Sequence, residues 1–394
     1  MSDSALTETL RASRPRRVEL ALGLPLIPRG PAYTCIHLAQ SMAGPGLSVG
    51  FHAPIILNGA SHLHATTGWA APRFLAQFGW RFARQGVMAA MERHILAALD
   101  RSGDDLVWTF GEVPLGLTRA LAKRGARVVR EKFNCAKALA YEILSAEHAR
   151  HGLVPFTGIT CACIAKEAEE LAMADAIFCP SPMVRASLRA IGIADDRLLD
   201  TSYGWEPERF AGDARLLPPV AGPTLLFAGT MQVRKGIHIL LEAWAKANIG
   251  GRLLLAGSLD PIVEKRWGHL LARPDIIRLG HIGDMGSAFR SADWFVFPSL
   301  EEGGPQVTYE AAGCGVPALV SPMGAGAFTR NGIEGVVLNS REPNDWARLF
   351  ASLADRKAER DRMAEAALQR AQMFTWASVG GQRRHQLLGL AERC

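Results

Sequence analysis

Residues 298–317 read PSLEEGGPQVTYEAAGCGVP. An aromatic and β-branched run, WFVF at 294–297, leads into Pro298, a Gly-Gly-Pro turn follows at 303–305, and a short small-residue helix is predicted after it. Strand, tight turn and helix in so short a span is the unit of parallel sheets with crossover helices. Working outward, the same alternation recurs in both directions. Strands are predicted at 224–229, 252–257, 276–281, 294–298, 317–321 and 335–338, and further upstream at 18–24, 47–56, 105–110, 127–133, 176–181 and 197–203. Between the two sets, residues 205–222 keep neither periodicity, and Pro207, Pro218, Pro219 and Pro223 discourage regular structure there. This segment is expected to link two Rossmann-like α/β domains that face each other across a cleft, with ligands outside the carboxyl ends of the strands.

Composition sets the outer limits. The chain has 394 residues, 48% of them hydrophobic and 21% charged, which is enough apolar surface to bury two cores. A formal charge of +6 mildly favours anionic partners but is modest for this size, and no interleaved basic and aromatic signature points to nucleic acid. Arg11, Arg14, Arg16 and Arg17 read as a solvated tail, with a peripheral membrane contact left open. The apolar run at 18–27 contains Glu19 and lacks a cleavage pattern, so it is expected to be the first strand rather than a signal peptide. The seven cysteines are an odd count, and Cys161 and Cys163 match neither a redox nor a zinc spacing. Structural thiols and a cytoplasmic setting are expected. No Asp-x-Asp and no His/Cys cluster at ligand spacing is found, so no metal is expected.

Several residues carry candidate chemistry. Glu302 lies just past a strand and Glu310 eight residues on, so one carboxylate can stand near each end of an extended ligand such as a nucleotide sugar. Gly303 and Gly304 leave room for close backbone approach, and N–H groups at the following helix start can bind a diphosphate. A second group is LFAGTMQVRKG at 226–236, where a strand turns into the adjacent cations Arg234 and Lys235. Such a pair offers concentrated positive charge to an anionic ligand. Glycine-rich turns and solvated charges before helices also occur without ligands.

The Glu302 to Glu310 spacing and the AAGCGVP run that follows closely resemble the nucleotide-sugar signature of family 4 retaining glycosyltransferases. The resemblance implies a GT-B fold with a donor-binding C-terminal domain at 207–372, an acceptor-side domain at 1–206, and a terminal helix at 373–394 that returns to the first domain. It implies that Glu310 accepts from the ribose hydroxyls, that Glu302 and the backbone of Gly303 to Pro305 lie near the donor sugar, and that Lys235 holds the diphosphate. Gly229, Thr230, Gly257 and Ser258 would lie near the phosphates, the backbone at His281 and Ile282 near the base, and Gly30 of the first loop near the reacting sugar. The chain departs from the pattern at Thr230, where an Arg is usual; Arg234 is expected to substitute. The histidine that members often carry after the strand at 127–133 is also missing, and Lys132 or Asn134 stands in its place. His62 and His64 are expected to be surface or core residues.

The implied activity is sugar transfer from a nucleoside-diphosphate sugar to a glycan, lipid-linked or small-molecule acceptor, without metal or other cofactor. The segments at 58–69 and 135–141 are expected to contact the acceptor. FTWASVGGQRRHQLL at 374–388 resembles the returning helix, with Phe374 and Trp376 as anchors. Two rivals stay open: a non-catalytic nucleotide-sugar-binding or scaffold protein, and an epimerase acting on the donor alone. A dinucleotide oxidoreductase is disfavoured, because LPLIPRGPAY follows the first strand instead of GxGxxG.

Overall fold

The computed structural model describes residues 16–26, 30–57, 65–71, 82–102 and 106–392. Within them, β1 Arg16–Leu22, β2 Leu47–Leu57, β3 Ala65–Ala71, β4 Leu106–Phe110, β5 Arg127–Glu131, β6 Ala176–Cys179 and β7 Leu198–Asp200 form one sheet in the order β3-β2-β1-β4-β5-β6-β7. A second sheet takes β8 Thr224–Ala228, β9 Arg252–Ala256, β10 Ile276–Gly280, β11 Trp294–Phe297, β12 Ala318–Val320 and β13 Gly335–Val337 in the order β10-β9-β8-β11-β12-β13. Every strand pair is parallel. Helices cover both faces of a parallel sheet, so its central strands read as unbroken apolar runs rather than alternating ones. LVWTF of β4, TLLFA of β8, RLLLA of β9 and WFVF of β11 are buried at every position.

One element departs from expectation. Residues 65–69, read as part of an acceptor loop, belong to the edge strand β3, which pairs with β2 through irregular register. Its sequence ATTGWAA mixes Gly and Ala with strand formers, so propensity is weak, and pairing with the long β2 supplies what the sequence lacks. Residues 58–64 with His62 and His64, the tail with Arg11 and Arg14, and Pro28 and Arg29 of the first loop lie outside the described residues.

The chain crosses between the domains twice, side by side. Trp205 N donates to Phe374 O at 3.0 Å and Trp376 N donates to Trp205 O at 3.2 Å. The helix Trp376–Glu392 then packs on the helix Gly30–Met42 of the first domain. Contact is so close that a Cβ on Gly380 would lie 2.3 Å from Ser41 Oγ. Arg383 of this helix is fully buried, donates to both Glu131 oxygens at 2.7 and 3.1 Å and to Ser202 O at 3.0 Å, and so ties the returning helix to β5. No helix among the described residues is long and apolar enough to cross a membrane. The six described cysteines are free: Cys35, Cys135 and Cys179 are buried, as expected of structural thiols, whereas Cys161 is exposed.

Candidate functional site

In each sheet the strand order reverses direction at one place, between β1 and β4 in the first and between β8 and β11 in the second. Crevices at the carboxyl ends of strands flanking such a switch point are where open α/β sheets bind ligands. A cleft of about 400 Å³ lies there, lined by Gly30 and Phe110 from the first domain and Ala228, Gly229 and Phe297 from the second. A larger cavity of about 490 Å³ is lined by Thr224 and Trp294, which begin β8 and β11, and so opens at the opposite, amino ends of the strands.

Two helix starts face this cleft. The helix Gly30–Met42 contributes Gly30, Pro31 and Thr34; the helix Gln306–Gly313 contributes Gln306 and Val307, preceded by Gly304 and Pro305. Pro305 at the second helix's N-cap makes no side-chain capping bond. Unbonded N–H groups and the positive end of the helix dipole make such starts anion sites. Gln306 also joins the domains, since its Oε1 accepts from Thr34 Oγ1 at 2.9 Å. Gly30 adopts φ +59°, and among the described residues beyond its chain neighbours no atom lies within 4 Å of the place a Cβ would take, so its backbone faces the cleft.

Beside the helix starts stands a four-charge network. Lys235 Nζ pairs with Glu302 Oε1, and Arg234 Nη1 donates to Glu301 O at 2.9 Å, lying 3.2 Å from Glu301 Oε2 and 3.4 Å from Glu302 Oε1. The turn that carries the cations is a 3-10 segment, Val233–Lys235, closed by Gly236 at φ +69°; a Cβ there would meet Pro298 O at 2.0 Å. Only glycine therefore lets this turn pack against the end of β11. Burial pulls the Lys235 ammonium well below its ordinary range, with the Arg234 charge adding to the effect and Glu301 opposing it.

Glu301 was not among the residues singled out from the sequence, yet its carboxylate is the one here that joins the two domains. It is 1% exposed, and besides Arg234 it accepts from Asn134 Nδ2 at 3.1 Å and from Cys135 N at 3.1 Å, both in the first domain. The only sequence signal was its place beside Glu302. Of the two candidates for the missing histidine's position, Asn134 lines the cleft, whereas Lys132 turns inward to Glu167 at 2.8 Å and Cys135 O at 2.7 Å. In the 135–141 segment Cys135 and Ala136 are fully buried and Tyr141 is exposed.

The remaining candidates divide by position. Gly229, Thr230, Gly304 and Pro305 line the cleft. Gly303 sits where a Cβ would lie 1.8 Å from Phe133 O, so it permits close approach of the two domains rather than presenting open space. Gly257 backs Gly229, a Cβ on it meeting Gly229 O at 2.1 Å, and Ser258 Oγ lies 3.4 Å from Thr230 Oγ1. His281 is exposed and Ile282 half-buried; neither belongs to the cleft lining, and both follow the bulged end of β10, whose Gly280 O accepts from Gly257 N at 2.7 Å.

Glu310 lies one turn beyond Gln306, about 6 Å along the helix axis. Among the described residues its carboxylate has no hydrogen-bond partner, and its nearest cation is Arg209 at 4.0 Å. Burial raises its pKa to about 7 against only the partial relief of Arg209. A largely enclosed, unbonded carboxylate of this kind is poised to accept from a ligand.

Residues 222–356 match the model of the family described as glycosyl transferases group 1. Among curated proteins, the D-inositol 3-phosphate glycosyltransferase of Streptosporangium roseum is 30% identical over 182 residues, 42% of this chain and 42% of that protein. The D-inositol 3-phosphate glycosyltransferase 1 of Catenulispora acidiphila is 30% identical over 245 residues, 55% of this chain and 57% of the relative. The chain thus covers less than two thirds of these relatives' length. Among solved structures, sucrose-phosphate synthase from Thermosynechococcus elongatus superposes with a TM-score of 0.72 at 20% identity, covering 96% of this chain and all (100%) of that one. HepE from Anabaena, solved in complex with UDP, gives 0.66 at 16% identity over 95% of this chain and 100% of that one. The chain therefore has the GT-B fold of these solved structures, and residues 222–356 of its second domain match the group 1 glycosyl transferases.

Proposed function

We propose that the chain is a glycosyltransferase that takes a sugar from a nucleoside-diphosphate sugar held mainly by its second domain. The observation that carries this reading is convergence: two helix N-termini and the Arg234 and Lys235 pair meet at one cleft, and the unbonded carboxylate of Glu310 lies one helical turn away. The cationic end suits a diphosphate and the carboxylate suits ribose hydroxyls. The group 1 match over this domain supports the same assignment.

In this reading the bond from the sugar's anomeric carbon to the phosphate oxygen breaks, and its electron pair stays on the departing diphosphate. Arg234 and Lys235 meet that growing charge, with Arg234 taking the part that Thr230 cannot. The acceptor hydroxyl bonds to the same face of the anomeric carbon and passes its proton to the leaving phosphate, which retains configuration without a protein nucleophile or a metal. Glu302 and the backbone at Gly304 and Pro305 face the donor sugar, and Asn134 approaches it from the first domain. The acceptor, a glycan, a lipid-linked sugar or a small molecule, enters from the side of the first domain. D-inositol 3-phosphate, in the names of the relatives, is a first acceptor to try.

The test is calorimetric binding of UDP, GDP, ADP and their common sugar conjugates, alongside donor turnover with and without an acceptor panel. Selective nucleotide binding with acceptor-dependent turnover supports the proposal. Binding without turnover would favour a scaffold, and acceptor-independent conversion of the donor sugar an epimerase.

A further inference from the structure

Away from the cleft, three side chains that no part of the proposed transfer uses converge on one point between the domains. Glu147 and His151 are four residues apart at the end of the helix Lys137–Arg150 in the first domain, so they share one face. His238 opens the helix Ile237–Ala247 of the second domain, directly after the turn that bears Arg234 and Lys235. His238 Nε2 lies 2.9 Å and His151 Nε2 3.2 Å from the same Glu147 oxygen, and the three atoms fall within 4.8 Å of one another. They form the one group of three or more such ligands found among the described residues.

The chemistry of this set is that of a transition-metal site. Two imidazole nitrogens and one carboxylate oxygen are borderline donors suited to zinc-class ions, and three protein ligands leave a fourth position for water. Bonds of about 2.0–2.1 Å in a tetrahedron place ligand atoms roughly 3.4 Å apart, so the two Glu147 contacts need to open slightly while the imidazole nitrogens, held within 4.8 Å, turn toward a common ion. The set is also held in place. Trp267 packs against both imidazoles, with centroids 5.4 Å from His151 and 5.2 Å from His238, and its Nε1 donates to Glu242 at 2.8 Å. Coordination through Nε2 requires the imidazole proton on Nδ1. In His238 that shift trades the Nε2 hydrogen bond to Glu147 for a metal bond and leaves the buried Nδ1–H, which has no partner, to be met by water. His238 and Glu147 are buried whereas the His151 side chain is 17% exposed, which gives an ion a way in.

We propose that Glu147, His151 and His238 form a binding site for a zinc-class divalent ion that pins the helix after the Arg234 and Lys235 turn to the first domain. Because its ligands come from both domains, occupancy favours the domain arrangement that brings them together by linkage. The site stands apart from the proposed transfer chemistry and is tested without it.

The experiment uses the full chain, stripped with a chelator and titrated with Co²⁺ and Zn²⁺. Co²⁺ d–d absorption, calorimetric stoichiometry and Tm are read. The exposed Cys161 and half-buried Cys163 offer a rival thiolate site, so the Cys161→Ser/Cys163→Ser variant is run in parallel. Expected are one ion per chain, a nitrogen and oxygen cobalt spectrum, a raised Tm with Zn²⁺, and the same behaviour in the double serine variant. His151→Ala, at the partly exposed position, and His238→Ala should each weaken binding by more than the roughly 10–100-fold typical of losing an outer-shell partner. Circular dichroism in metal-free buffer checks that each variant is folded. No cobalt spectrum in the parent chain, undiminished binding in folded His151→Ala, or loss of binding in the serine variant would each overturn the proposal.

Discussion

Replacing Glu310 by Gln keeps the side chain's size and removes its charge, and the site's electrostatics predict opposite effects on stability and on binding. Burial raises the Glu310 pKa from 4.5 to about 7. The folded chain therefore holds this proton more tightly than the unfolded chain does. The associated stabilisation is complete below pH 4.5, the unfolded value, and is lost as the pH rises through about 7. At about 1.36 kcal/mol per unit, a shift of this size makes the ionised carboxylate a burden of about 3 kcal/mol at pH 8. Glu310→Gln should relieve it, so the variant should unfold at higher denaturant than the parent at pH 8, the difference vanishing near pH 4.5. Binding should change the other way. If ribose hydroxyls donate to the carboxylate, only the ionised form binds well, and affinity should fall about tenfold from pH 8 to pH 6. Loss of charge-assisted bonds should cost Glu310→Gln about 1–3 kcal/mol, roughly 5–150-fold in Kd at pH 8, with the pH slope removed. The assay is calorimetry with an intact nucleotide sugar, whose phosphate diesters do not titrate in this range, next to urea unfolding at each pH. Equal affinity and an equal pH slope in parent and variant would refute the role assigned to Glu310.

Lys235→Ala should lower turnover by about 10²–10³-fold, the scale of a lost transition-state donor, with a smaller effect on nucleotide-sugar affinity; single-turnover kinetics separate the two. Gly303→Ala forces a Cβ against Phe133 O and should cost about 1–3 kcal/mol in thermal unfolding and reduce turnover, whereas Gly268→Ala, on the helix Pro261–Leu271 away from the cleft, should neither destabilise the chain nor slow it. Arg383→Met leaves Glu131 buried without its bidentate partner and should lower stability in denaturant titration by about 3–5 kcal/mol.

Sequence and structure agree best where the signal is local. The buried strands β8, β9 and β11 read as strands because both of their faces are covered, and their apolar runs end at glycine or proline near where the strands end. The charges at Arg234, Lys235 and Glu302 were visible because each lies in a short turn directly after a strand. What escaped depends on partners far along the chain. Glu301 and Glu302 are adjacent and alike on paper, but Glu301 reaches Asn134 and Cys135, residues whose proximity only the packing of two domains creates. Edge strand β3 escaped for a related reason, since its pairing with β2 rather than its own composition makes it a strand. Glu147 and His151 show an i, i+4 spacing on one helix, but their third partner, His238, stands on the other domain.

The same packing decides what the cleft can hold. Arg234 and Lys235 face Glu301 and Glu302, so the four side chains together are close to neutral and cannot by themselves attract a diphosphate. Glu301 is spoken for by the first domain, which leaves Glu302 as the carboxylate that competes with an incoming phosphate for Lys235. The balance is tipped by groups without formal charge, the N–H donors at the starts of the helices Gly30–Met42 and Gln306–Gly313, one from each domain. Under the proposed function, a phosphate that satisfies both helix starts should release Glu302 from Lys235 toward the donor sugar. Donor binding should therefore draw on both domains even though most of its named contacts lie in the second. An isolated second domain, if it folds, should bind the nucleotide base and ribose but hold the diphosphate more weakly than the full chain.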